Sequence, residues 1–201
     1  MAEPRELPIV GGNLALDFAN TVDDPLGPAR HDHVSTYDEL LVWSARVGML
    51  HAGELKTLRR SAKRRPRAAS AAVRRAQELR DAVNGVFGAV ASGETVPSER
   101  WAVLRRAASD GLSHAAAHPS GAGYGLEWSA EELLTPVWMV ADAAVMLLRS
   151  GDLRRVKQCA GCPWLFLDSS RSGSRRWCSM EDCGTHEKIK RYVAKRAAAR
   201  R

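Results

Sequence analysis

All four cysteines of this 201-residue chain lie in one short segment, residues 159–183, and the residues before it contain none. The spacing is Cys-x2-Cys, fifteen intervening residues, then Cys-x4-Cys. Thiols grouped in this way serve as a disulfide staple, a redox pair or a metal site. The choice among the three constrains the fold strongly, because each one fixes the path of the C-terminal chain in a different way.

A metal site accounts best for this spacing. A Cys-x2-Cys pair forms a tight knuckle that directs two thiolates at one ion, and a second pair completes a tetrahedron. The N-terminus, MAEPRELPIVGGN, has no secretory signal, which predicts a cytoplasmic protein with reduced thiols and disfavours a disulfide. A redox pair remains an alternative, although the flanking residues lack the α/β pattern of a thioredoxin. We predict a structural Zn²⁺ ion bound by Cys159, Cys162, Cys178 and Cys183.

The residues around the cysteines predict a small treble-clef-like unit. Residues 164–168 read as a strand, 169–174 as a turn and 175–177 as a returning strand, so that Cys178 ends a hairpin. A helix is expected to begin at Cys183-Gly184. Four cysteines complete the zinc coordination, which leaves His186 as a non-ligand and no open position to activate water. No catalytic constellation is found elsewhere, so an enzyme is not predicted.

Residues 1–150 predict a separate helical domain with little strand, and the chain as a whole belongs to the mainly α class. Thr36 and Glu39 form a capping box before an apolar stripe, a long helix is expected over 69–91, and Thr135-Pro136 begins another. No run of 18 apolar residues is present, so no membrane span is expected. Residues 151–201 form the second predicted domain.

The positive charge of the chain is concentrated at its C-terminal end. Residues 151–201 contain 13 Lys and Arg but five Asp and Glu, which accounts for the whole formal charge of +7. Such a segment attracts polyanions, although a solvated basic tail is the alternative. Ile189, Val193 and Ala197 are expected to pack on the hairpin. The predicted contacts with the DNA backbone are Arg171, Arg175, Arg176, Lys188, Arg191 and Lys195.

A second basic run, residues 56–67, is interrupted by Pro66. We interpret it as a solvated helix end or a mobile loop, with contact to nucleic acid as the alternative.

The cysteine pairs, together with W-x-F-x-D-x-S at 164–170 and RRWCSM at 175–180, resemble the CGNR zinc finger. At the front of the chain, GGNLALDFANT (11–21) and YDELLVWSARVGML (37–50) resemble the ABATE domain, which precedes that finger. The resemblance implies a role in stress-induced transcription regulation in bacteria. This chain has Thr185-His186 where the family has Asn-Arg. A phosphate contact by His186 is therefore expected to weaken above about pH 6.5.

Our interpretation is a cytoplasmic DNA-binding transcription regulator whose N-terminal domain senses a signal or forms a homodimer. One alternative is a zinc-stabilised protein–protein interaction module. Another is a regulator that binds a small molecule through Asp17, Asn20 and Thr21 without direct contact with DNA. The same three polar residues are also suited to capping a helix end, which is the interpretation we prefer for them.

Overall fold

The computed structural model describes residues 7–23, 31–121 and 123–198. It is 59% helical with few short strands, which confirms the mainly α prediction. Within these residues the helices are α1 (Leu14–Ala19), α2 (Tyr37–Arg46), α3 (Ala52–Arg64), α4 (Pro66–Ser92), α5 (Ser98–Ser113), α6 (Thr135–Ser150) and α7 (Thr185–Ala198). The strands are β1 (Val22–Asp23), β2 (His31–Asp32), β3 (Ala116–Ser120), β4 (Gly123–Glu127), β5 (Val156–Gln158) and β6 (Leu165–Leu167).

Capping residues in the sequence set the ends of several helices. The side chain of Thr36 accepts a hydrogen bond from the backbone of Glu39, whose own side chain bonds back, so the predicted capping box starts α2. Pro66 stands in the first turn of α4, where its missing N–H costs nothing. The same helix ends at Gly93, whose φ of 70° is a left-handed conformation that favours glycine.

The long helix α4 is the central element of the helical core. It packs against α1, α5 and α6, and more lightly against α2 and α3. Each large apolar side chain that is fully buried here contributes roughly 1.5–3 kcal/mol to folding. The largest of these side chains in the helical part are Phe18, Phe87, Leu16, Leu40, Leu41, Leu58, Leu79 and Leu104. Among the described helices, none has the length and apolar character needed to cross a bilayer.

The strands form three separate antiparallel ribbons, β1–β2, β3–β4 and β5–β6. In the first ribbon, Asp32 accepts a forked pair of hydrogen bonds at 2.6 and 2.8 Å from Arg80 of α4. The buried Arg80 side chain therefore fixes β2 to the central helix. In the third ribbon, β5 and β6 flank the first cysteine pair, which forms the turn between them.

The predicted second strand at 175–177 is wrong, because β5 precedes the first cysteine and takes its place beside β6. The other edge of β6 is also occupied. Leu165 exchanges hydrogen bonds with the side chain of Asn20, and the N–H of Leu167 donates to the carbonyl of Gly11 at 2.8 Å. With both edges of β6 paired, residues 175–177 have no free strand edge to join. They instead cross the knuckle, where the N–H of Ala160 donates to the carbonyl of Arg176.

The expected packing of the C-terminal helix on the hairpin is also wrong. Ile189 and Val193 are each 58% exposed, and α7 contacts chiefly the single π-helical turn before it, Met180–Gly184. The side chain of Ala197 lies outside the described residues. Val156, Leu165 and Phe166 of the hairpin are already buried in other contacts, so α7 has little apolar surface there to pack on.

The β5–β6 hairpin is fastened to the helical core rather than suspended from it. Val156 and Leu165 are buried in the same apolar cluster as Leu16 and Leu79. Asn20 accepts from the N–H of Leu165 at 2.9 Å and donates to its carbonyl at 2.8 Å, as a neighbouring strand would. The indole of Trp164 adds a bond to the carbonyl of Val22 at 3.0 Å. The division into domains at 150/151 stays a prediction, and any such boundary is crossed by these contacts.

We expect Asn20→Ala to destabilise the whole protein, because it leaves a buried N–H and a buried carbonyl of Leu165 without partners. The expected loss is about 2–6 kcal/mol in the free energy of unfolding, at about 1–3 kcal/mol for each of the two orphaned groups. Chemical denaturation followed by circular dichroism and tryptophan fluorescence measures it. The control is Asn84→Ala in α4, which is expected to change stability by less than about 0.5 kcal/mol. Equal stability of the two variants would contradict the role of Asn20.

Candidate metal centre

The four cysteine sulfurs converge on one point. Their Sγ atoms all lie within 4.8 Å of one another. The Sγ atom of Cys178 is 3.6 Å from that of Cys162 and 3.7 Å from that of Cys183. Zn–S bonds of about 2.3 Å in a tetrahedron place sulfurs about 3.8 Å apart. These separations fit one tetrahedral zinc ion, and they exclude disulfides in this arrangement, since an S–S bond is only about 2.05 Å long.

Backbone N–H groups support the sulfur of Cys159. Gly161 N and Cys178 N donate to this Sγ atom at 3.4 and 3.3 Å. Such donors stabilise a thiolate, which is the form that binds metal. A side chain at Gly161 would have its Cβ 3.3 Å from the Cβ of Cys183, so glycine allows the two halves of the site to approach closely.

Crowding and burial separate the pKa values of Cys162, Cys178 and Cys183. A hydrogen bond from the Cys178 thiol lowers the pKa of Cys162 to about 6. The same bond, together with burial, raises the pKa of Cys178, and burial raises that of Cys183 to about 12. Four thiolates at this spacing repel one another, and a divalent cation removes that repulsion. The donor set, its spacing and its N–H···S bonds together identify a structural zinc site, with each ligand position filled by cysteine.

Asp168 organises the loop that leads from β6 to the second cysteine pair. It is inaccessible to solvent and accepts hydrogen bonds from Lys157 Nζ at 2.8 Å and from the backbone of Ser170 and Arg175, each at 3.0 Å. The Lys157 ammonium and the Ser170 hydroxyl hold the pKa of Asp168 well below its usual range. A single carboxylate thus fixes three separate parts of the finger.

The side chain of Arg175 is used inside the finger. Its Nε donates to the carbonyl of Trp177 at 2.8 Å, and its terminal nitrogen donates to the carbonyl of Cys178. The guanidinium also lies 4.6 Å from the centroid of the buried Phe166 ring. Arg175 therefore positions a zinc ligand, which makes it poorly suited to its predicted contact with DNA.

The other five predicted DNA contacts are exposed to solvent and fall into two groups: Arg171 and Arg176 in the loop after β6, and Lys188, Arg191 and Lys195 on α7. Arg176 also rests over the ring of Trp177, with 5.1 Å from its guanidinium carbon to the ring centroid. His186, at the start of α7, is exposed and does not contribute to the cluster of ligand atoms.

The three residues predicted as a possible ligand site are buried and bonded to backbone atoms. Asp17 accepts from Gly11 N at 2.7 Å, Thr21 donates to the carbonyl of Phe18 at 2.8 Å, and Asn20 holds Leu165. Burial raises the pKa of Asp17 in spite of its backbone partners. All three side chains thus form hydrogen bonds that hold the start and end of α1 and the hairpin in place.

A cavity in the helical region lies elsewhere, between α4, α5 and α6. Its volume is about 240 Å³, and its lining includes Leu79, Val137, Trp138, Arg75 and Asp110. Its polar side includes a loose ion pair, since Arg75 Nη1 is 3.5 Å from an Asp110 carboxylate oxygen.

Sequence reasoning missed the structural roles of Lys157, Asp168 and Asn20. Asp168 was visible in the W-x-F-x-D-x-S motif, but the motif does not reveal what its carboxylate binds. Asn20 and Leu165 are 145 residues apart in the chain, and the sequence around each of them does not indicate that they pair.

Comparison with protein families yields two adjacent matches. Residues 12–151 match the ABATE family, described as "putative stress-induced transcription regulator", and residues 155–196 match the CGNR zinc finger. The two matches confirm the resemblance and its order along the chain. No curated protein matches the chain.

We expect the purified chain to contain one zinc ion, and Cys178→Ser to lose it. Changes beside a zinc ligand cost about 10–100-fold in affinity, so losing a ligand should cost more than about 100-fold. Metal analysis and competition with a chelator measure this. His186→Ala is the control and should keep one zinc per chain. Loss of zinc in His186→Ala, with retention in Cys178→Ser, would contradict the four-cysteine site.

We expect Asp168→Asn to lower the thermal midpoint of the zinc-loaded protein at neutral pH. An amide carries no charge and has a single acceptor oxygen, so it cannot accept from Lys157 and Arg175 on one side and from Ser170 on the other. The pKa of Asp168 is depressed in the folded state, so its contribution is complete above the unfolded value of about 3.9 and is lost as the pH falls. The difference in thermal midpoint between wild type and variant should therefore become smaller below about pH 4. Asp152→Asn, an exposed partner of Arg154, is the control. Equal midpoints for both variants at neutral pH would refute this role.

Proposed function

We propose a DNA-binding regulatory function, on the premise that this chain belongs to the ABATE family of transcription regulators and carries a CGNR zinc finger. The zinc ion holds the finger rigid, and exposed cations on the finger contact the phosphate backbone. The protein acts in the cytoplasm, and its target genes belong to a stress response.

The observation that carries the proposal is the set of exposed cations fixed by the zinc site. Arg176 immediately precedes Trp177 and the ligand Cys178, so the metal restrains its backbone. On α7, Lys188, Arg191 and Lys195 are three, four and seven residues apart and therefore share one face of the helix. Phosphate contacts from such residues position a protein on DNA, and they supply affinity that depends on salt.

The helical region is proposed to sense a signal or to mediate homodimerisation. The cavity between α4, α5 and α6 supports the first role, because it combines apolar walls with an arginine and a carboxylate. A ligand in this cavity would contact α4, and the strands of the finger pack against the same helix. Two-fold symmetry in a homodimer would in turn require two related half-sites in the DNA.

A second candidate function is protein–protein interaction through α7. Ile189 and Val193 are exposed side by side, four residues apart, and they occupy a different face from the cations. Apolar residues in this position suit a protein partner or a second copy of the chain. Binding that does not vary with salt concentration would favour this function over DNA binding.

We expect the full-length zinc-loaded protein to bind duplex DNA with an affinity that falls steeply as salt rises. In Lys188→Gln/Arg191→Gln/Lys195→Gln, the slope of log K against log salt should fall by roughly 2–3, since each phosphate contact contributes about 0.9. Fluorescence anisotropy with a labelled duplex of mixed sequence, titrated at several salt concentrations, measures the slope.

The matched control for net charge is Arg105→Gln/Arg106→Gln/Arg149→Gln, which also removes three exposed cations but lies on α5 and α6. It should retain most of the wild-type slope. Identical slopes for the α7 variant and the wild type would count against the finger as the DNA-binding surface.

A further inference from the structure

A second basic surface lies on the helical region, along α3. Lys56, Arg60, Lys63 and Arg64 are exposed and recur at helical spacing. Leu58, which is fully buried, lies on the opposite side of the same helix. Arg67, exposed in the first turn of α4, follows Lys63 by four residues. These five cations are named here the α3 basic face.

Charge in this part of the chain is strongly segregated. Residues 55–77 contain nine Lys and Arg and no Asp or Glu. The remainder of residues 1–150 contains eight Lys and Arg and 18 Asp and Glu. The net formal charge of residues 1–150 is therefore close to zero, yet every charged residue within 55–77 is a cation.

Among the described residues, side-chain interactions engage the cationic neighbours of the α3 basic face but not its members. Arg59 pairs with Asp38 at 2.7 Å, and Arg65 donates to the carbonyl of Glu131. Among the residues that the structure describes, no acidic side chain lies within ion-pair distance of the five cations. Their charge is thus available to an external partner.

Folding favours only two of these cations, Lys63 and Arg64, which lie in the last turn of α3 and complement the helix dipole. Lys56, Arg60 and Arg64 follow one another at intervals of four, and like charges at that spacing repel along a helix. Arg67 stands at the N-terminal end of α4, where the helix dipole disfavours a cation. Repulsion at these positions lowers the stability of the free protein. A ligand with regularly spaced negative charges would remove that repulsion, which explains why the cations are grouped here.

We propose that the α3 basic face is a second DNA-backbone contact surface, separate from the finger. The inference rests on the proposed function, since it assumes that the protein binds DNA. Position 80 of α4 lies beside the hairpin anchor, because Arg80 reaches Thr21, the neighbour of Asn20. Arg67 is 13 residues earlier, or about 20 Å along the helix at about 1.5 Å per residue. The end of the face at Arg67 therefore lies far enough from the hairpin anchor to contact different phosphates from the finger.

The composition of the α3 basic face favours DNA over a membrane or a protein. A helix that lies on a membrane inserts large apolar residues between its cations. Here the apolar residues of α3, Leu55 and Leu58, pack into the core, and no large apolar side chain of residues 52–67 is among the exposed ones. Protein interfaces likewise need an apolar centre. Phosphates require only the cations.

The test measures the salt dependence of DNA binding in Lys56→Gln/Arg60→Gln/Lys63→Gln, with the full-length zinc-loaded chain and a duplex of mixed sequence. We expect the slope of log K against log salt to fall by roughly 2–3, for up to three lost phosphate contacts. The α7 triple variant should give a further, additive fall when the two are combined. The thermal midpoint should change little, since the relief of repulsion offsets the lost interaction of Lys63 with the dipole of α3. The α5 and α6 triple variant again controls for net charge.

The outcomes separate this inference from the proposed function. A wild-type slope in the α3 variant, with a reduced slope in the α7 variant, overturns the α3 basic face and leaves the finger in place. A reduced slope in the α3 variant alone supports the α3 basic face and overturns the finger assignment. Absence of salt-dependent binding by the wild type overturns both. Loss of binding to phosphatidylserine vesicles in the α3 variant, with unchanged DNA binding, assigns the surface to membranes and overturns the inference.

Discussion

The convergence of four sulfurs on one point is the constraint on which the C-terminal quarter of this structure depends. The finger has a hairpin of two three-residue strands, one loop and a helix that packs on neither strand. Without the helical core, such a segment buries too little apolar surface to hold its shape, so metal binding supplies much of its folding free energy. The sulfurs alone do not define the shape, however, because Asp168 and Arg175 set the path of the chain between the two cysteine pairs.

A second set of contacts makes the finger part of the larger core. Asn20 pairs with β6 in the manner of a strand, Trp164 reaches Val22, and Leu165 is buried among the residues of α1 and α4. Zinc therefore orders a surface that the helical core also stabilises from behind. This arrangement connects the cavity between α4, α5 and α6 with the finger through a single helix, α4, which contacts both.

Local signals in the sequence were enough to predict the helices, and the cysteine spacing was enough to predict the zinc ligands. Each of these signals is contained in a few consecutive residues: the capping box at Thr36, the helix start at Thr135-Pro136 and the Cys-x2-Cys knuckle. The contacts that could not be predicted join residues that lie far apart in the sequence. The partner of β6 was misassigned because the side chain of Asn20 and the carbonyl of Gly11 occupy one edge of the strand.

The pairing of Asn20 with Leu165 also limits how the two matched regions can be recombined. A chimaera that grafts residues 155–196 onto an unrelated scaffold would receive the cysteines but not the amide that closes the open edge of β6. The transplanted hairpin would then expose an unpaired strand edge, which invites aggregation. A workable graft has to carry the segment from Gly11 to Val22 along with the cysteines, so the smallest exchangeable unit is discontinuous in the chain.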